Sequence, residues 1–327
     1  IPVINHFTTQ GSSGGVVGII NPDFVQDINF YTGAYPANRT NALSSVMEIR
    51  QREGNKERIQ GKLSIGASDA AFTLDGPIGE KSNFIVSARQ SYLQLLFSLI
   101  GLPFLPTYND FQVKYKIDFD KKNQLTLLGI GAIDDMTLNL GIENPTEAQT
   151  YLLSYLPVYK QWNYTVGAVY KHFSDNHFGT WVLSRNMLRN SSFKYKDNDE
   201  SLGKISDYTS DEIENKFRFE QNYPGGNIKF SWGAGVTLSR YTNATSRLVY
   251  FNNNASNLNY STDINLFGYQ AFAQASDDFL DERLKLSLGV NFVGNNYNNN
   301  MSNPLNQLSP RLSATYELTE NINLNAN

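Results

Sequence analysis

The chain has 327 residues, no cysteine and a net charge of −4, and only 18% of its residues are charged. The lack of cysteine excludes disulfide frameworks, thiol catalysis and cysteine-bound metals, and interspersed charges of both signs offer no basic surface to nucleic acid. No apolar run reaches the roughly 18 residues of a membrane-spanning helix, which excludes an α-helical membrane protein but not a membrane β-barrel, whose strands of about 9–11 residues alternate in polarity.

The first 58 residues form a region with weak periodicity. Short strands are predicted at 1–4, 25–32 and 46–50, and residues 11–18 read as a Gly/Ser loop before the charged run at 50–58. The chain begins Ile-Pro-Val, without a starting Met or a signal peptide, so we expect a longer protein. The sequence predicts a small compact unit here.

From about residue 59 onward, alternation with a period of two predicts strands, about thirteen in all. Residues 111–119 are representative, because aromatic and aliphatic side chains take one face and Gln112, Lys114, Lys116 and Asp118 take the other. A barrel wall with lipid outside and water inside has this pattern. A soluble sheet with one solvated face has it too.

The connections favour the barrel. Short turns are predicted at 76–79, 120–123, 174–176, 224–226, 279–282 and 319–321, and longer loops at 97–109, 135–161, 194–213, 241–263 and 295–309. Short turns at one end and long loops at the other are typical of outer-membrane barrels. Because an open edge in lipid leaves backbone groups unpaired, we expect more chain, or another chain, to complete the wall.

Several segments resemble a known family. They are Ile1-Pro2-Val3, residues 21–25 (Asn-Pro-Asp-Phe-Val), 31–37 (Tyr-Thr-Gly-Ala-Tyr-Pro-Ala), 43–50 (Leu-Ser-Ser-Val-Met-Glu-Ile-Arg), 52–55 (Arg-Glu-Gly-Asn), 74–78, 84–92 and 308–313. The segments up to residue 92 resemble the second half of the plug domain and the first barrel strands of TonB-dependent outer-membrane receptors, and residues 308–313 resemble the start of a mid-barrel strand. They are most similar to the branch common in Bacteroidota. Residues 38–42 depart from the family pattern.

The resemblance implies a plug remainder at 1–58 and an incomplete transmembrane barrel at 59–327, from an all-β barrel of about 22 strands when complete. It implies active import of a bulky, scarce substrate across the bacterial outer membrane, driven by the TonB complex through an N-terminal segment that this sequence does not contain. Siderophore, corrinoid, glycan and peptide substrates stay open, as does a surface lipoprotein partner. The alternatives are a soluble or surface β-sheet binding protein and a passive porin.

The resemblance also implies a binding apex on the proposed plug, with Asn5, His6, Phe7, Thr9 and Gln10 facing the outer vestibule. Hydrogen-bonding groups beside an aromatic ring suit sugars or chelates. The alternative is a solvated turn.

A second candidate site is an ion network between plug and wall, made of Arg50, Arg52, Glu53, Asp75 and Arg89. Arginine–carboxylate bonds across such an interface are charge-assisted, and could hold a plug that detaches when pulled. The alternative is scattered solvated charge worth about 0–1 kcal/mol a pair.

Catalytic and metal sites are not predicted. The three histidines do not have metal-ligand spacing, and the sequence contains no Gly-x-Ser-x-Gly nucleophile motif. We therefore expect neither an enzyme nor a bound cofactor.

Overall fold

The structure, a computed structural model, describes residues 4–8, 14–15, 17–32, 35–40, 45–225, 228–252, 254–281, 283–319 and 322–326. Two small antiparallel pairs come first: β1 (Asn5–His6) with β2 (Val17–Gly18), and β3 (Val25–Tyr31) with β4 (Val46–Gln51). The described part of residues 4–58 is called the N-terminal segment below. It precedes a single large sheet.

The sheet has thirteen antiparallel strands among the described residues, and each strand pairs with its neighbour in the sequence. The strands are β5 (Gln60–Ile65), β6 (Asp69–Ile78), β7 (Ser82–Ser91), β8 (Phe104–Asp118), β9 (Asn123–Leu138), β10 (Val158–Phe173), β11 (Phe178–Tyr195), β12 (Lys204–Tyr223), β13 (Ile228–Phe251), β14 (Asn254–Phe279), β15 (Leu284–Asn295), β16 (Leu308–Thr319) and β17 (Ile322–Ala326). This order confirms the predicted run of about thirteen strands.

Helices occur only in the connections of the described chain. They are α1 (Leu93–Leu99), α2 (Glu147–Tyr155), α3 (Asn299–Ser302) and short 3-10 turns at Pro22–Phe24, Lys196–Asn198, Glu200–Leu202 and Pro304–Gln307. A capping box at Thr146 and Gln149 starts α2. None of the described helices combines the length and the apolar character needed to cross a membrane.

The two faces of the sheet differ in polarity, in the opposite sense to those of a water-soluble sheet. The inner face, which touches the N-terminal segment, carries buried polar groups such as Gln112 and Lys116, while the outer face exposes Phe111 (52%) and Leu183 (61%). A water-soluble sheet packs its apolar face and solvates its polar one. The alternation predicted for residues 111–119 is confirmed, and the soluble-sheet alternative does not fit it.

The alternation of short and long connections holds for most of the sheet. Residues 79–81, 119–122 and 174–177 join strands at one end, and residues 92–103, 139–157, 196–203 and 296–307 join them at the other. The predicted loops were too wide, because strands run further into them. Lys194 and Tyr195 still belong to β11, and β12 begins at Lys204.

The predicted loop at 241–263 is wrong. β13 and β14 continue through it as a hairpin that is paired from Tyr241 with Ile264 to Phe251 with Asn254. Polar residues on both faces hid these strands from a hydrophobicity argument. The lack of Gly and Pro between residues 241 and 263 was a signal for continued strand that the prediction did not use.

A small apolar cluster joins the N-terminal segment to the inner face. Ile19 packs against Ile130, Ala132 and Leu188 of the sheet, and Ile20 borders the cluster. Hydrogen bonds and ion pairs hold the segment to the inner face beside this cluster.

Candidate functional site

His6, at the end of β1, lies between two carboxylates of the inner face. Its Nδ1 is 2.5 Å from Asp134 Oδ1 and its Nε2 is 3.1 Å from Asp110 Oδ2, and all three side chains are fully buried. An ionised carboxylate can only accept hydrogen bonds, so both ring nitrogens donate only when the imidazole is protonated. The geometry therefore favours a charged His6 that links the N-terminal segment to β8 and β9.

The electrostatics of His6 follow from this arrangement. Burial, the largest single influence, acts to lower the pKa of His6, but the hydrogen bonds and charges of Asp110 and Asp134 together raise the pKa above the ordinary histidine value. Arg89 Nε donates to Asp110 Oδ2 at 2.6 Å, and the Tyr108 ring lies 4.3 Å from the His6 ring. Two cations thus face two carboxylates beside an aromatic ring.

Backbone bonds continue the contact beyond His6. Phe7 has a left-handed φ of 52°, and its N–H donates to Asp134 Oδ2 at 2.8 Å. The Thr8 N–H donates to Gln161 Oε1 at 3.1 Å, and Gln161 Nε2 donates back to the Thr8 carbonyl at 2.7 Å. Gln161 and Asp134 are register partners on β10 and β9, so one pair of strands holds both residues.

The predicted binding apex is thus placed in part. Asn5 pairs with Gly18 in the β1–β2 ladder, and His6 and Phe7 bind the wall as described. Thr9 and Gln10 lie outside the described residues. With no exposed surface, His6 contacts the wall rather than the solvent in this structure.

Arg89, predicted as a network residue on an early strand, reaches across to the N-terminal segment. Besides Asp110, its guanidinium donates to the Gly18 carbonyl at 2.5 Å. Gln112 Nε2 donates to the Ile19 carbonyl at 2.8 Å. The chain that follows β2 is therefore held through its carbonyl oxygens.

Arg52 and Asp75, two of the predicted network residues, form a two-pronged pair. Arg52 Nη1 and Nη2 are each 3.1 Å from a carboxylate oxygen of Asp75, and the Asn55 N–H donates to the same carboxylate at 2.9 Å. Arg52 Nε also donates to the Asp23 carbonyl at 2.6 Å. The parallel fork geometry gives direction as well as strength to the contact between the N-terminal segment and β6.

Glu53 binds the wall next to this pair. Its carboxylate accepts a hydrogen bond from Lys116, while Lys114 Nζ donates to the carbonyls of Gln51 and Arg52 at 2.7 and 3.0 Å. Burial tends to raise the pKa of Glu53, but Lys116 and Lys56 together lower it. The Glu53 carboxylate is therefore ionised at neutral pH.

Gly54 lets the backbone approach β7 closely. A Cβ atom at this position would lie 2.0 Å from the Phe84 carbonyl oxygen, and the Gly54 N–H donates to Asn83 Oδ1 at 3.0 Å. No side chain fits there without moving the chain.

Arg50, in contrast, is not brought to the wall. Its Nε lies 3.7 Å from Asp27 on the neighbouring strand of the same segment, with both side chains well exposed. The structure thus brings Arg52, Glu53, Asp75 and Arg89 into contacts between the N-terminal segment and the sheet, and leaves Arg50 outside them.

Several contact residues were missed by the sequence argument. The most buried are Asp110, Asp134 and Gln161 of the wall. A further group holds residues 35–40: Gln274 accepts from the Ala37 N–H at 2.7 Å, and Arg311 donates to the Pro36 carbonyl at 3.1 Å. Alternation could place such side chains on the inner face, but it could not name their partners.

A cavity of about 460 Å³ remains between the N-terminal segment and strands β8 to β11. Ile49, Gln51 and Glu53 border it on one side, and Lys114, Lys116 and Lys171 line it on the other, among other residues. The space is positively charged on balance. His6 uses both ring nitrogens, and among the residues described no group of three or more His, Asp or Glu side chains could hold a metal ion.

Comparison with known sequences assigns the sheet. Residues 101–327 match the family described as TonB dependent receptor-like, beta-barrel. The chain belongs to this family. No curated protein matches the sequence. The predicted fold class is confirmed: the chain is an antiparallel sheet that forms part of the β-barrel of this family.

Solved structures show the same fold at low sequence identity. A mutant of the ferric enterobactin receptor PfeA from Pseudomonas aeruginosa has 16% identity and a TM-score of 0.69, covering 96% of this chain and 49% of its own. The siderophore receptor PirA from Acinetobacter baumannii has 12% identity and a TM-score of 0.67, covering 97% and 48%. The receptor FpvA from Pseudomonas aeruginosa, bound to pyoverdine, has 13% identity and a TM-score of 0.66, covering 91% and 50%. The chain spans about half the length of these structures.

Proposed function

We propose that the complete protein is an outer-membrane importer that works with the TonB complex of the inner membrane. The observation that carries the proposal is the polar contact between the N-terminal segment and the inner face of a family barrel, from His6 to Arg52. In this proposal residues 1–58 are the C-terminal part of a plug, and residues 59–327 are the N-terminal part of the barrel.

The outer face supports placement in a lipid bilayer. Exposed Phe111, Leu183 and Leu238 would be costly in water as a continuous surface, whereas lipid tails solvate them without loss. The inner face, with its buried lysines and carboxylates, suits a wet lumen. The bacterial outer membrane is where barrels of this kind occur.

The contacts suit a plug that must be held and also released. Each hydrogen bond contributes only about 0.5–1.5 kcal/mol, and up to about 3 kcal/mol where a charge takes part. Together these bonds hold the plug in the lumen, yet a force on the plug from the periplasm breaks them a few at a time. A passive porin, the other membrane alternative, does not need such a filling.

The neighbouring structures bear the names of ferric enterobactin, pyoverdine and siderophore receptors. We therefore propose ferric siderophores as the first substrate class to test, ahead of corrinoids, glycans and peptides. Of the five predicted apex residues, Asn5, Phe7, Thr9 and Gln10 are the proposed ligand contacts, and fully buried His6 is not. The motifs of residues 1–92 further favour a Bacteroidota-like receptor. For such a receptor we propose a surface lipoprotein as the partner to search for.

The test is uptake by cells that express the full-length protein. Cells are given radioiron bound to a panel of siderophores, with TonB present or deleted. The proposal expects at least one chelate to accumulate only when the receptor and TonB are both present. Equal uptake without TonB would establish a passive pore instead. If no chelate accumulates, the same strains are given a corrinoid and an oligosaccharide, and failure with all of them would refute import.

A further inference from the structure

The hairpin of β13 and β14 has one long unpaired edge. β13 covers one side of β14 as far as Asn254, but β15 pairs with the other side only from Gly268 to Phe279. No described strand pairs with that side of residues 254–267. The open stretch is roughly 45 Å long at about 3.3 Å per residue.

The hydrogen bonds at Phe267 fix which residues face the open side. The Phe267 N–H donates to Asn296 Oδ1 at 2.8 Å, and the Asn296 N–H donates to the Phe267 carbonyl at 3.1 Å. Asn296 follows β15, so Phe267 directs both backbone groups away from β13. Backbone direction alternates along an antiparallel strand, and the β13–β14 register is unbroken. The odd-numbered residues from Ala255 to Asn265 therefore present N–H and C=O groups outward.

This edge lacks the features that normally prevent pairing with another chain. Sheet edges are usually protected by lysine, proline, a bulge or shortness. Residues 254–267 contain no lysine and no proline, and their one charged residue, Asp263, is paired with Arg240 at 2.8 Å. The edge is long, regular and nearly neutral.

We propose that this edge binds an extended segment of another polypeptide, which adds to the sheet as a new strand beside β14. β15 already binds the lower part of the same edge in this way, so the added strand continues an existing ladder. The side chains define the partner further. Leu258 and Tyr260 are exposed on one face, and Asn257, Asn259 and Ser261 on the other. The matching segment alternates apolar and hydrogen-bonding residues.

A second copy of this chain does not fit the same edge. In one membrane, the placement proposed above, two copies related by a two-fold axis along the bilayer normal would run their β14 strands in parallel. The hydrogen-bond pattern of a parallel pair is not symmetric about such an axis, so the two edges cannot close on each other. The occupant of the edge is therefore a segment of a different polypeptide rather than a second copy of this chain.

Peptide binding to the full-length protein in detergent tests the proposal. The probe is a fluorescent, capped peptide of about nine residues that alternates Thr and Leu, a length typical of a strand. Its twin is N-methylated at every residue, so that neither edge can donate. We expect saturable binding of the first peptide and a loss of at least about tenfold for the twin.

Variants then locate the binding. Asn259→Pro with Ser261→Pro removes two outward donors but leaves the even-numbered residues paired with β13, and proline is tolerated on an edge. We expect this variant to lose binding about tenfold or more, while Asn259→Ala with Ser261→Ala keeps it. If the proline variant does not fold, the N-methylated twin still tests backbone recognition. Equal binding of both peptides, no saturable binding, or dimers in light scattering would each overturn the proposal. The peptide-binding assay does not measure TonB-dependent uptake, so a negative result in it leaves the import proposal standing.

Discussion

Replacing His6 by glutamine tests the most buried contact between the N-terminal segment and the wall. His6 joins Asp110 and Asp134 with both ring nitrogens, and none of the three side chains reaches solvent. Glutamine carries both of its donors on one nitrogen, so it cannot donate from the two ring positions that face Asp110 and Asp134, and it removes the positive charge. Breaking a buried ion pair by removing one partner costs about 3–5 kcal/mol. The equilibrium between docked and detached segment should shift by roughly two to four powers of ten.

Hydrogen exchange of the full-length protein measures this shift directly. The N–H groups of Phe7 and Thr8 donate to Asp134 and Gln161, so their protection reports detachment. When opening and closing are fast, exchange follows the population of the open form. Arg50→Ala is the control, because its partner Asp27 lies within the same segment. Unchanged protection at Phe7 in His6→Gln would refute the role of His6 in holding the segment to the wall.

The pH dependence of the same protection has a defined sign. The docked state raises the pKa of His6, so it binds the proton more tightly than the detached state. The contribution is complete below the ordinary histidine pKa of about 6.5 and is lost as the pH rises through the docked value. Protection at Phe7, corrected for intrinsic exchange, should fall in that alkaline direction in the wild type. The fall should be absent in His6→Gln.

Three further substitutions test the remaining parts of the structure. Arg52→Ala should weaken docking by about 1.5–3 kcal/mol and raise the passive leak of small solutes in vesicles, because Asp75 loses its bidentate partner. Arg50→Ala should leave the leak unchanged, and equal leak from both variants would contradict the assignment of Arg52 to the contact with the wall. Gly54→Ala should destabilise the full-length protein by about 1–3 kcal/mol in urea unfolding, because the new Cβ meets the Phe84 carbonyl. Gly141→Ala should not, because there is open space around Gly141. Equal urea midpoints for the two variants would show that the close approach at Gly54 is not required. Leu183→Arg should destabilise the protein in lipid vesicles by about 2–4 kcal/mol, whereas Ser184→Arg, beside the inner cavity, should not. If Ser184→Arg were the more destabilising of the two, the faces would be misassigned.

The faces of the strands were readable from the sequence because a strand alternates its side chains with a period of two. Lys114 and Lys116 were placed on the polar face on that basis, and they contact the N-terminal segment there. The same reasoning failed for residues 241–263. Leu258, Tyr260 and Ile264 do alternate, but the many Asn, Ser and Thr residues around them are typical of a loop.

The sequence by itself determined the class of the sheet, the direction of its connections and the residue types available for ionic contacts. Only the tertiary structure decided which of these residues meet. His6 lies 104 residues from Asp110 and 128 from Asp134, and Arg52 rather than Arg50 reaches the wall. Alternation is a local property of the backbone, whereas these contacts depend on how the N-terminal segment docks against distant strands. Docking is governed by the summed fit of many weak polar bonds, and no single residue pattern encodes that sum.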